Sequence, residues 1–308
     1  HFEFCILNFR MRRSEFIKYV AGGIVLLSVG KLPAATASRK PLRFGVLTDT
    51  HYADRERSGT RYYRDSIAKM REAVAEFQRA DLDFIIELGD MKDTTARSEP
   101  LPTLRFLDDI EREFSVFRGP RYHVLGNHDM DCLTKEEFLA HTRNAGRARG
   151  KAFYSFSEGG VRCIVLDANF NADFSPYARG NFDWRKAYIP TSQIEWLDKE
   201  LTRHADEPTL VFLHQMLDSF SDISKDLCVG NAEAVVEVLE RHRQVLAVFQ
   251  GHHHPGHYSH RRGIHYLTFQ GMIEQAAPAS AYAIVEVEAD GTIRVEGFRS
   301  CPDRVLER

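Results

Sequence analysis

Short apolar runs alternate along this chain with stretches in which apolar residues recur at helical spacing. The runs at 42–47, 84–88 and 210–213 are mostly apolar and too short for buried helices, so each predicts a strand. Between the first two, the segment 61–80 repeats apolar side chains every three or four positions, which predicts an amphipathic helix. This order of strand, helix and strand is typical of an α/β fold.

The same alternation continues towards the C-terminus. Further strands are predicted at 122–125, 153–156, 161–166, 245–249, 265–269, 282–288 and 292–297, and further helices at 104–114, 192–203 and 232–243. We expect the helix at 192–203 to begin with a capping box formed by Ser192 and Glu195. A polar, aromatic-rich insertion of loop character, 169–190, interrupts the alternation. Because no long linker or repeat divides the pattern, we expect one domain over 38–308.

The N-terminal segment has the pattern of an export signal. Arg12 and Arg13 precede an apolar stretch over 19–30, and Ala35-Thr36-Ala37 provides a small-residue cleavage site. The apolar stretch is shorter than the roughly 20 residues that a membrane span needs. We therefore expect a cleaved signal segment over 1–37 and no stable membrane anchor.

Two further expectations concern this segment. The first methionine is Met11, which predicts that residues 1–10 lie upstream of the true start. The pair Arg12-Arg13 followed by Phe16-Ile17-Lys18 resembles a twin-arginine signal, which predicts export to a periplasmic or extracellular location. An uncleaved amphipathic helix is the alternative interpretation of the same residues.

The overall composition is that of a folded protein. The 308 residues are 43% hydrophobic and 28% charged, which argues against a disordered chain and against several membrane spans. A net charge of −3 argues against a basic surface, so we expect no nucleic-acid partner. Cys163 lies in an apolar run and is predicted to be a buried free thiol. The sequence leaves open whether Cys132, Cys228 and Cys301 form disulfides, and it does not indicate the oligomeric state.

Residue types that bind metal ions follow five of the predicted strands. In chain order these segments are Asp49-Thr50-His51, Gly89-Asp90, Gly126-Asn127-His128-Asp129, His214 and Gly251-His252-His253-His254. Ligands collect at the carboxyl ends of strands in open α/β sheets, so the five segments predict one shared metal site. Imidazole, carboxylate and amide donors together suit Mn²⁺, Fe or Zn²⁺ without choosing among them. A histidine-rich metal-binding protein or scaffold without catalytic activity is the alternative.

This series of motifs, which spans 49–254, resembles that of the calcineurin-like metallophosphoesterases. The resemblance implies a four-layer sandwich in which helices flank two mixed β-sheets, and a phosphohydrolase that uses two divalent metal ions. The implied ligands are Asp49, His51, Asp90 and His254 for one ion, and Asp90, Asn127, His214 and His252 for the other. We expect His253 to point away, since alternate residues of an extended segment face opposite sides.

The resemblance also implies a mechanism in which a metal-bridging hydroxide attacks phosphorus in line. His128 would donate a proton to the leaving oxygen, and Asp129 would orient or charge that imidazole. The alternative role for Asp129 is to cap a helix. Asp93 is expected either to support the site or to cap the next segment. His257 and His260 lie close enough in sequence to the histidine cluster to line the cleft, although no motif assigns them a role.

Further segments resemble the manganese-dependent ADP-ribose/CDP-alcohol diphosphatases. These segments are 61–66, 165–168, 193–197, 263–274 and 302–304. The resemblance favours Mn²⁺ as the metal and implies cleavage of the diphosphate bond of ADP-ribose, CDP-alcohols or related nucleotides. A cyclic-nucleotide phosphodiesterase or a broad-specificity phosphatase of the same superfamily is the alternative.

Two regions are candidates for contacts with such a small-molecule substrate. The arginine-rich region 55–64 suits phosphate pairing and base stacking, with Arg61 and Tyr62 as the candidate residues. The insertion contributes aromatic residues that either stack on a base or pin the loop onto the core. They are Phe170, Phe174, Tyr177, Phe182, Trp184 and Tyr188.

Overall fold

The computed structural model describes residues 40–308 and, before them, two short backbone segments. These segments form strands β1 (Lys18–Val20) and β2 (Gly23–Val25), which pair antiparallel. Apart from them, the predicted export segment lies outside the described residues. Residues 40–308 form one compact unit. In the part of the chain that the structure describes, no helix has the length and apolar content needed to cross a membrane.

Two mixed β-sheets and the helices that cover them make up the unit 40–308. The strands are β3 (Leu42–Leu47), β4 (Phe84–Glu87), β5 (Arg121–His123), β6 (Tyr154–Glu158), β7 (Val161–Val165), β8 (Thr209–Phe212), β9 (Val245–Gln250), β10 (His257–Arg261), β11 (Ile264–Thr268), β12 (Ala281–Val287), β13 (Ile293–Arg299) and β14 (Arg304–Leu306). The helices are α1 (Ser66–Arg79), α2 (Pro100–Phe114), α3 (Lys135–His141), α4 (Thr191–Arg203) and α5 (Ala232–Arg241). One six-stranded sheet has the order β10-β11-β9-β8-β7-β6, and the other has the order β14-β13-β12-β3-β4-β5.

Aromatic side chains from both sheets fill the space between them. Phe44 of β3 stacks on Phe84 of β4 with 4.8 Å between the ring centroids. The same Phe44 ring meets Phe212 of β8 and Phe249 of β9 edge-on. All four rings are fully buried. The inner strands are apolar on both faces because each sheet is covered on both sides.

Helices cover the outer face of each sheet. Phe77 of α1 packs so closely on Gly45 of β3 that a Cβ at this glycine would lie 2.8 Å from the ring. On the other sheet, Leu197 of α4 and Val235 of α5 belong to one buried cluster with Val211 of β8. The layers therefore run helix, sheet, sheet, helix, and the predicted α/β four-layer sandwich is confirmed.

Three predicted helix starts differ from the observed ones. Helix α2 begins at Pro100 rather than at 104, since proline suits the first turn of a helix. Helix α1 begins at Ser66 because the preceding backbone is used elsewhere, with Arg61 forming an antiparallel bridge to Glu274. The capping box expected at 192–203 is wrong, since α4 begins at Thr191 and no side chain caps it. The preceding Pro190 occupies the N-cap position and has no side-chain oxygen to accept a bond.

Three of the helices and strands of the unit 40–308 were not predicted from the pattern. Helix α3 is short, and its capping box, formed by Thr134 and Glu137, lies in a region without a clear apolar repeat. Strand β10 lies at a sheet edge with partly exposed polar side chains, and β14 has three residues at the edge of the other sheet. The cysteines at 132, 163, 228 and 301 are buried and free, which confirms the prediction for Cys163.

Candidate metal centre

The loops that follow β3, β4, β5, β8 and β9 meet at one site. Strands β3, β4 and β5 are parallel neighbours in one sheet, and β8 and β9 are parallel neighbours in the other, so their carboxyl ends lie on a common side of each sheet. The structure brings all seven predicted ligands together there. Donor atoms within 4.8 Å of one another form the groups Asp49/His51/His254, Asp90/His214/His252 and His51/Asp93/His128.

Asp49 and two histidines form the first group. Asp49 Oδ1 lies 3.6 Å from His51 Nε2 and 3.3 Å from His254 Nε2. The two imidazole nitrogens are 3.2 Å apart. The other oxygen of Asp49 accepts hydrogen bonds from the Thr48 hydroxyl at 2.6 Å and from the N–H of His252 at 3.0 Å. These bonds leave Oδ1 directed towards the histidines.

Asp90 lies between the two groups. Its Oδ2 atom is 3.5 Å from His51 Nε2 and 3.2 Å from His214 Nε2. Its Oδ1 atom accepts the backbone N–H of His128 at 2.7 Å, which fixes the carboxylate plane. One oxygen therefore faces the histidines of both groups, which suits a carboxylate shared by two cations.

The donor atoms at this site lack the partners that buried polar atoms normally have. Four buried atoms make no hydrogen bond of normal geometry, and these are Asp49 Oδ1, Asn127 Oδ1, His214 Nε2 and His252 Nε2. Asp49 Oδ1 and His214 Nε2 have other site residues as close neighbours, at 3.3 Å and 3.2 Å. Such orphans are rare in folded proteins, and several at one point are typical of a cation-binding site. The set of imidazole, carboxylate and amide donors suits ions such as Mn²⁺. The residues present therefore fit two divalent cations.

Hydrogen bonds on the far side of two rings orient these imidazoles. The Nδ1 atom of His214 lies 2.8 Å from the carbonyl oxygen of Leu88, so its N–H donates there and Nε2 is free to bind a metal. The Nδ1 atom of His254 lies 2.7 Å from Glu274 Oε1. This hydrogen bond lowers the pKa of Glu274 to about 2. The sequence pattern assigned no role to Glu274, although it lies in one of the segments that resemble the diphosphatases.

Electrostatics keep His252 and Asp49 in metal-binding form. Burial, with help from the His214 imidazole, lowers the pKa of His252 to about 3, so this ring is neutral and keeps its lone pair. Burial opposes ionisation of Asp49, but the imidazoles of His214 and His254 outweigh it and hold its pKa well below the usual value. Burial lowers the pKa of His214 and of His254, but nearby carboxylates outweigh it and raise both to about 9, so a bound cation would displace a proton from each of these rings.

Four of the candidate ligands have a left-handed backbone conformation. The φ angles are 53° at Asp49, 44° at His51, 59° at Asp90 and 70° at His252. Non-glycine residues seldom adopt this conformation, and such strain concentrates at functional sites. The packing is equally tight, because a Cβ at Gly126 would lie 2.1 Å from the backbone nitrogen of Asp90. Glycine is therefore required at this position.

The expected contact between Asp129 and the His128 imidazole is wrong. The Asp129 carboxylate is fully buried and accepts backbone N–H groups instead. Its donors are Gly126 at 2.8 Å, Asp90 at 3.0 Å, Met91 at 3.0 Å and Lys92 at 3.4 Å. Asp129 therefore holds two metal-binding loops together, which resembles a capping role more than a catalytic one.

Two other carboxylates face the His128 ring. The Nδ1 atom lies 3.7 Å from Asp93 Oδ2 and 3.8 Å from Asp131 Oδ2. Asp93 supports the site, because its Oδ2 lies 3.4 Å from His51 Nδ1. It does not cap the next helix, since its Oδ1 accepts the N–H of the adjacent Thr94 at 2.7 Å and α2 begins only at Pro100. Asp131 is held in turn by the buried ammonium of Lys92 at 2.5 Å.

A cavity of about 540 Å³ opens onto the candidate ligands. Of the described residues, it is lined by Arg61, Asp90, Asn127, His128, Trp184, Leu227, His252, His254, Pro255 and Glu274. Trp184 is the aromatic residue of the insertion that reaches the cavity, with its ring centroid 5.9 Å from that of His252. Leu227 and Pro255 complete the apolar wall, and neither carries a motif that could have identified it.

Several predicted cleft residues lie elsewhere. The ring of Tyr62 lies under the Arg57 guanidinium and does not line the cavity. Its neighbour Arg61 does line the cavity. His257 Nε2 contacts Ser221 at 3.1 Å and Asp218 at 3.4 Å, and it does not line the cavity. His253, the expected bystander, does not line it either.

Comparisons with known proteins agree with this geometry. A family model described as calcineurin-like phosphoesterase matches residues 42–256. A protein of Arabidopsis thaliana named manganese-dependent ADP-ribose/CDP-alcohol diphosphatase is 28% identical over 296 residues, which cover 82% of this chain and 93% of that protein. A Xenopus tropicalis protein of the same name is 25% identical and covers 85% of this chain and 93% of its own length. The crystal structure of a dimetal phosphatase from Danio rerio has a TM-score of 0.73 at 23% identity, over 86% of this chain and 98% of its own.

Proposed function

Since this chain belongs to the calcineurin-like phosphoesterase family, we propose that it cleaves the diphosphate bond of ADP-ribose, CDP-alcohols or related nucleotides. The observation that carries the proposal is the convergence of seven donor residues beside a cavity of nucleotide size, with unpartnered buried donor atoms on four of them. The substrate class is supported by the names of relatives that match over most of the chain. The enzyme class is a metal-dependent phosphohydrolase, with Mn²⁺ favoured.

The ligand residues would hold two cations, with Asp90 between them. Asp49, His51 and His254 would complete one position, and Asn127, His214 and His252 would complete the other. Bound there, two divalent cations would supply a nucleophile that is ionised near neutral pH and positive charge to offset the phosphoryl oxygens.

His128 is placed to act as the general acid. Its side chain is one-quarter exposed and lines the cavity. Burial lowers the pKa of His128, but the carboxylates of Asp90, Asp131 and Asp93 outweigh this and raise it above the usual value. A protonated imidazole in this position donates its proton to the leaving phosphate oxygen, which would otherwise depart as a poor, fully charged leaving group.

The cavity wall offers separate contacts for phosphate and base. Arg61 lines the cavity with its guanidinium 3.8 Å from Asp93 Oδ2, so its charge is held near the site and remains available to a second phosphate. Trp184, beside His252, presents an exposed ring for stacking on a base. Together these side chains favour a nucleotide with two phosphates over a simple phosphomonoester.

A substrate panel with Mn²⁺ tests this proposal. ADP-ribose, CDP-choline, cyclic AMP and p-nitrophenyl phosphate would be compared with the purified chain and with an Asp90→Ala variant as the inactive control. We expect the two diphosphates to have the highest kcat/KM. Turnover of cyclic AMP or of the monoester alone would favour the phosphodiesterase or broad-specificity alternative and would overturn the diphosphatase assignment.

We also propose that the chain is exported by a twin-arginine route. The support is the sequence of the segment 11–37, with its paired arginines and small-residue site. Cell fractionation of the full chain beside an Arg12→Lys, Arg13→Lys double variant tests it. An unchanged location of the double variant would contradict the twin-arginine route.

A further inference from the structure

The loop between β11 and β12 is attached to the metal centre through its backbone N–H groups. The three bonds run from Gly271 to the carbonyl of His254 at 3.0 Å, from Met272 to Thr48 at 3.0 Å and from Ile273 to Asp49 at 2.9 Å. Two of these acceptor residues, Asp49 and His254, also supply candidate ligand side chains. A change in the shape of this loop would therefore displace the ligands directly.

The carbonyl groups of the same loop converge on one buried cation, the ammonium of Lys69. The four distances from Nζ are 2.8 Å to Met272, 3.2 Å to Ile273, 3.1 Å to Glu274 and 2.7 Å to Gln275. Lys69 is only 2% exposed. Four consecutive carbonyl dipoles that point at one place repel each other in a buried setting, and a positive charge at that place offsets the repulsion.

A buried ammonium bound only by neutral oxygens is costly. Burial lowers the pKa of Lys69 to about 8, while the more distant carboxylates of Asp65 and Glu274 act in the opposite direction. The cost of burying this charge is offset when the charge makes a contact that an apolar residue could not make. Here the charge holds a turn that carries Glu274, whose carboxylate contacts His254 Nδ1 at 2.7 Å.

The neighbouring residues of α1 make a second set of bonds to the same region. The Ser66 hydroxyl donates to the carbonyl of Thr50, between two candidate ligands, and the Asp65 carboxylate accepts the N–H of Ala277 at 2.8 Å. Residues three or four apart share a helix face, so Lys69 lies on the same side of α1 as Asp65 and Ser66. The first turn of α1 thus braces both the loop after β3 and the loop after β11.

We propose that Lys69 is a positioning residue of the metal centre. Its ammonium fixes the turn at 272–275 so that Glu274 orients the His254 imidazole and the backbone of Asp49 keeps its conformation. The inference rests on the proposed function, because it assigns Lys69 a role in the same two-cation site. It predicts that the cation held by Asp49, His51 and His254 depends on Lys69 more than the other cation does.

Mn²⁺ titration of the purified chain, followed by the electron paramagnetic resonance signal of free Mn²⁺, measures this directly. The Lys69→Met variant keeps an unbranched stem and removes the charge. We expect one of two Mn²⁺ ions to bind on the order of 10- to 100-fold more weakly, with the other nearly unchanged. If Lys69→Met does not fold, Lys69→Gln, which keeps two N–H donors, takes its place, and we expect a smaller loss at the same ion.

The matched control is Lys135→Met. Lys135 is another largely buried lysine, but its partner is the Asp167 carboxylate at 2.5 Å rather than the loop. We expect this variant to lose stability while binding both Mn²⁺ ions with wild-type affinity. Equal losses of affinity in the two variants, or wild-type affinity in a folded Lys69 variant, would overturn the role of Lys69.

A second comparison links Lys69 to Glu274. If Lys69 acts through this carboxylate, the double variant Lys69→Met, Glu274→Gln binds Mn²⁺ little more weakly than Glu274→Gln alone. Fully additive losses would contradict the coupling. The proposed function is judged separately, by turnover of ADP-ribose by the wild-type chain. A chain that binds two Mn²⁺ ions but cleaves no diphosphate would refute the proposed substrate. The role of Lys69 would then be judged from the Mn²⁺ affinities alone.

Discussion

At the scale of single residues, acidic groups close together in sequence serve different purposes. Asp131, three positions after His128, faces the imidazole ring, whereas Asp129 turns away and binds backbone N–H groups. Residues 128–130 form a 3-10 turn, in which side chains three apart lie over one another and adjacent ones diverge. The geometry of this turn, and not sequence adjacency, selects the partner of His128.

Replacement of Asp129 by asparagine should lower the stability of the fold more than it lowers the rate of the reaction. The new amide group would turn an N–H₂ donor towards backbone N–H groups that now have a carboxylate acceptor. We expect the free energy of unfolding in urea to fall by at least about 1–3 kcal/mol. Asp93→Asn is the comparison, with a smaller loss of stability and a lower kcat. An Asp129→Asn enzyme that is stable and binds Mn²⁺ normally but has a low kcat would show that Asp129 has a catalytic role.

Replacement of His128 by alanine should slow the reaction without emptying the metal site. A general acid contributes about 10²–10⁴-fold to a rate, so kcat for ADP-ribose should fall within that range. Mn²⁺ affinity should stay close to that of the wild type, since no donor atom of the proposed ligand sets is removed. Asn127→Ala, one residue away, is the control and should lose both turnover and one ion. Loss of an ion from His128→Ala would mean that His128 is itself a ligand.

At the scale of elements, strand β5 is joined to helix α2 by a buried charged pair. His123 Nε2 lies 2.8 Å from Glu111 Oε2, and Nδ1 lies 2.9 Å from Asn144 Oδ1. Both ring nitrogens face oxygen atoms, which suits a protonated imidazole that donates twice. Burial lowers the pKa of His123, but Glu111 and Asn144 outweigh it and raise the pKa above the usual 6.5.

This pair predicts how the stability of the fold depends on pH. Because the pKa is higher in the folded state, His123 stabilises the fold fully below pH 6.5, and the contribution is lost as the pH rises through the raised value. The free energy of unfolding, measured in urea at a series of pH values, should fall over that window. His123→Gln should remove this part of the slope. An identical slope in both proteins would show that His123 is neutral in the folded state.

At the scale of the whole molecule, the metal centre joins the two sheets. Asp49, Asp90 and Asn127 follow strands of one sheet, and His214 and His252 follow strands of the other. Four of the inward-facing donor atoms at this junction make no hydrogen bond within the protein. Cations bound there connect the two halves of the sandwich and bind the folded state only.

Removal of metal should therefore lower the thermal stability of the entire unit. An ion present at 100 times its Kd stabilises the fold by about 2.7 kcal/mol, which corresponds to a Tm shift of roughly 5–10 °C for a domain of this size. We expect EDTA to lower Tm by that amount and Mn²⁺ to restore it. The Asp90→Ala variant should show almost no response. An unchanged Tm of the wild-type chain in EDTA would argue against ions that join the sheets.

Local pattern was sufficient for most of the strands and helices and for locating most of the site, whereas the two-sheet layering was implied by the family resemblance. Strand runs such as 84–88 and the helix face of 61–80 follow from apolar periodicity, which burial on one or both faces imposes on any sequence. The ligand types could be located because each follows a strand, where a parallel sheet collects its functional loops. The edge strand β10 and the short helix α3 were missed, since neither has a strong apolar repeat.

The sequence by itself determined the inner strands of the two sheets and the donors that come together at the carboxyl ends of those strands. Only the tertiary structure decided which carboxylate faces His128, why Arg61 lines the cavity while Tyr62 does not, and that Lys69 holds the turn at 272–275. Lys69 and Met272 are separated by 203 positions. Periodicity carries information about which face of an element is buried, whereas the direction of one side chain depends on distant backbone that no local pattern encodes.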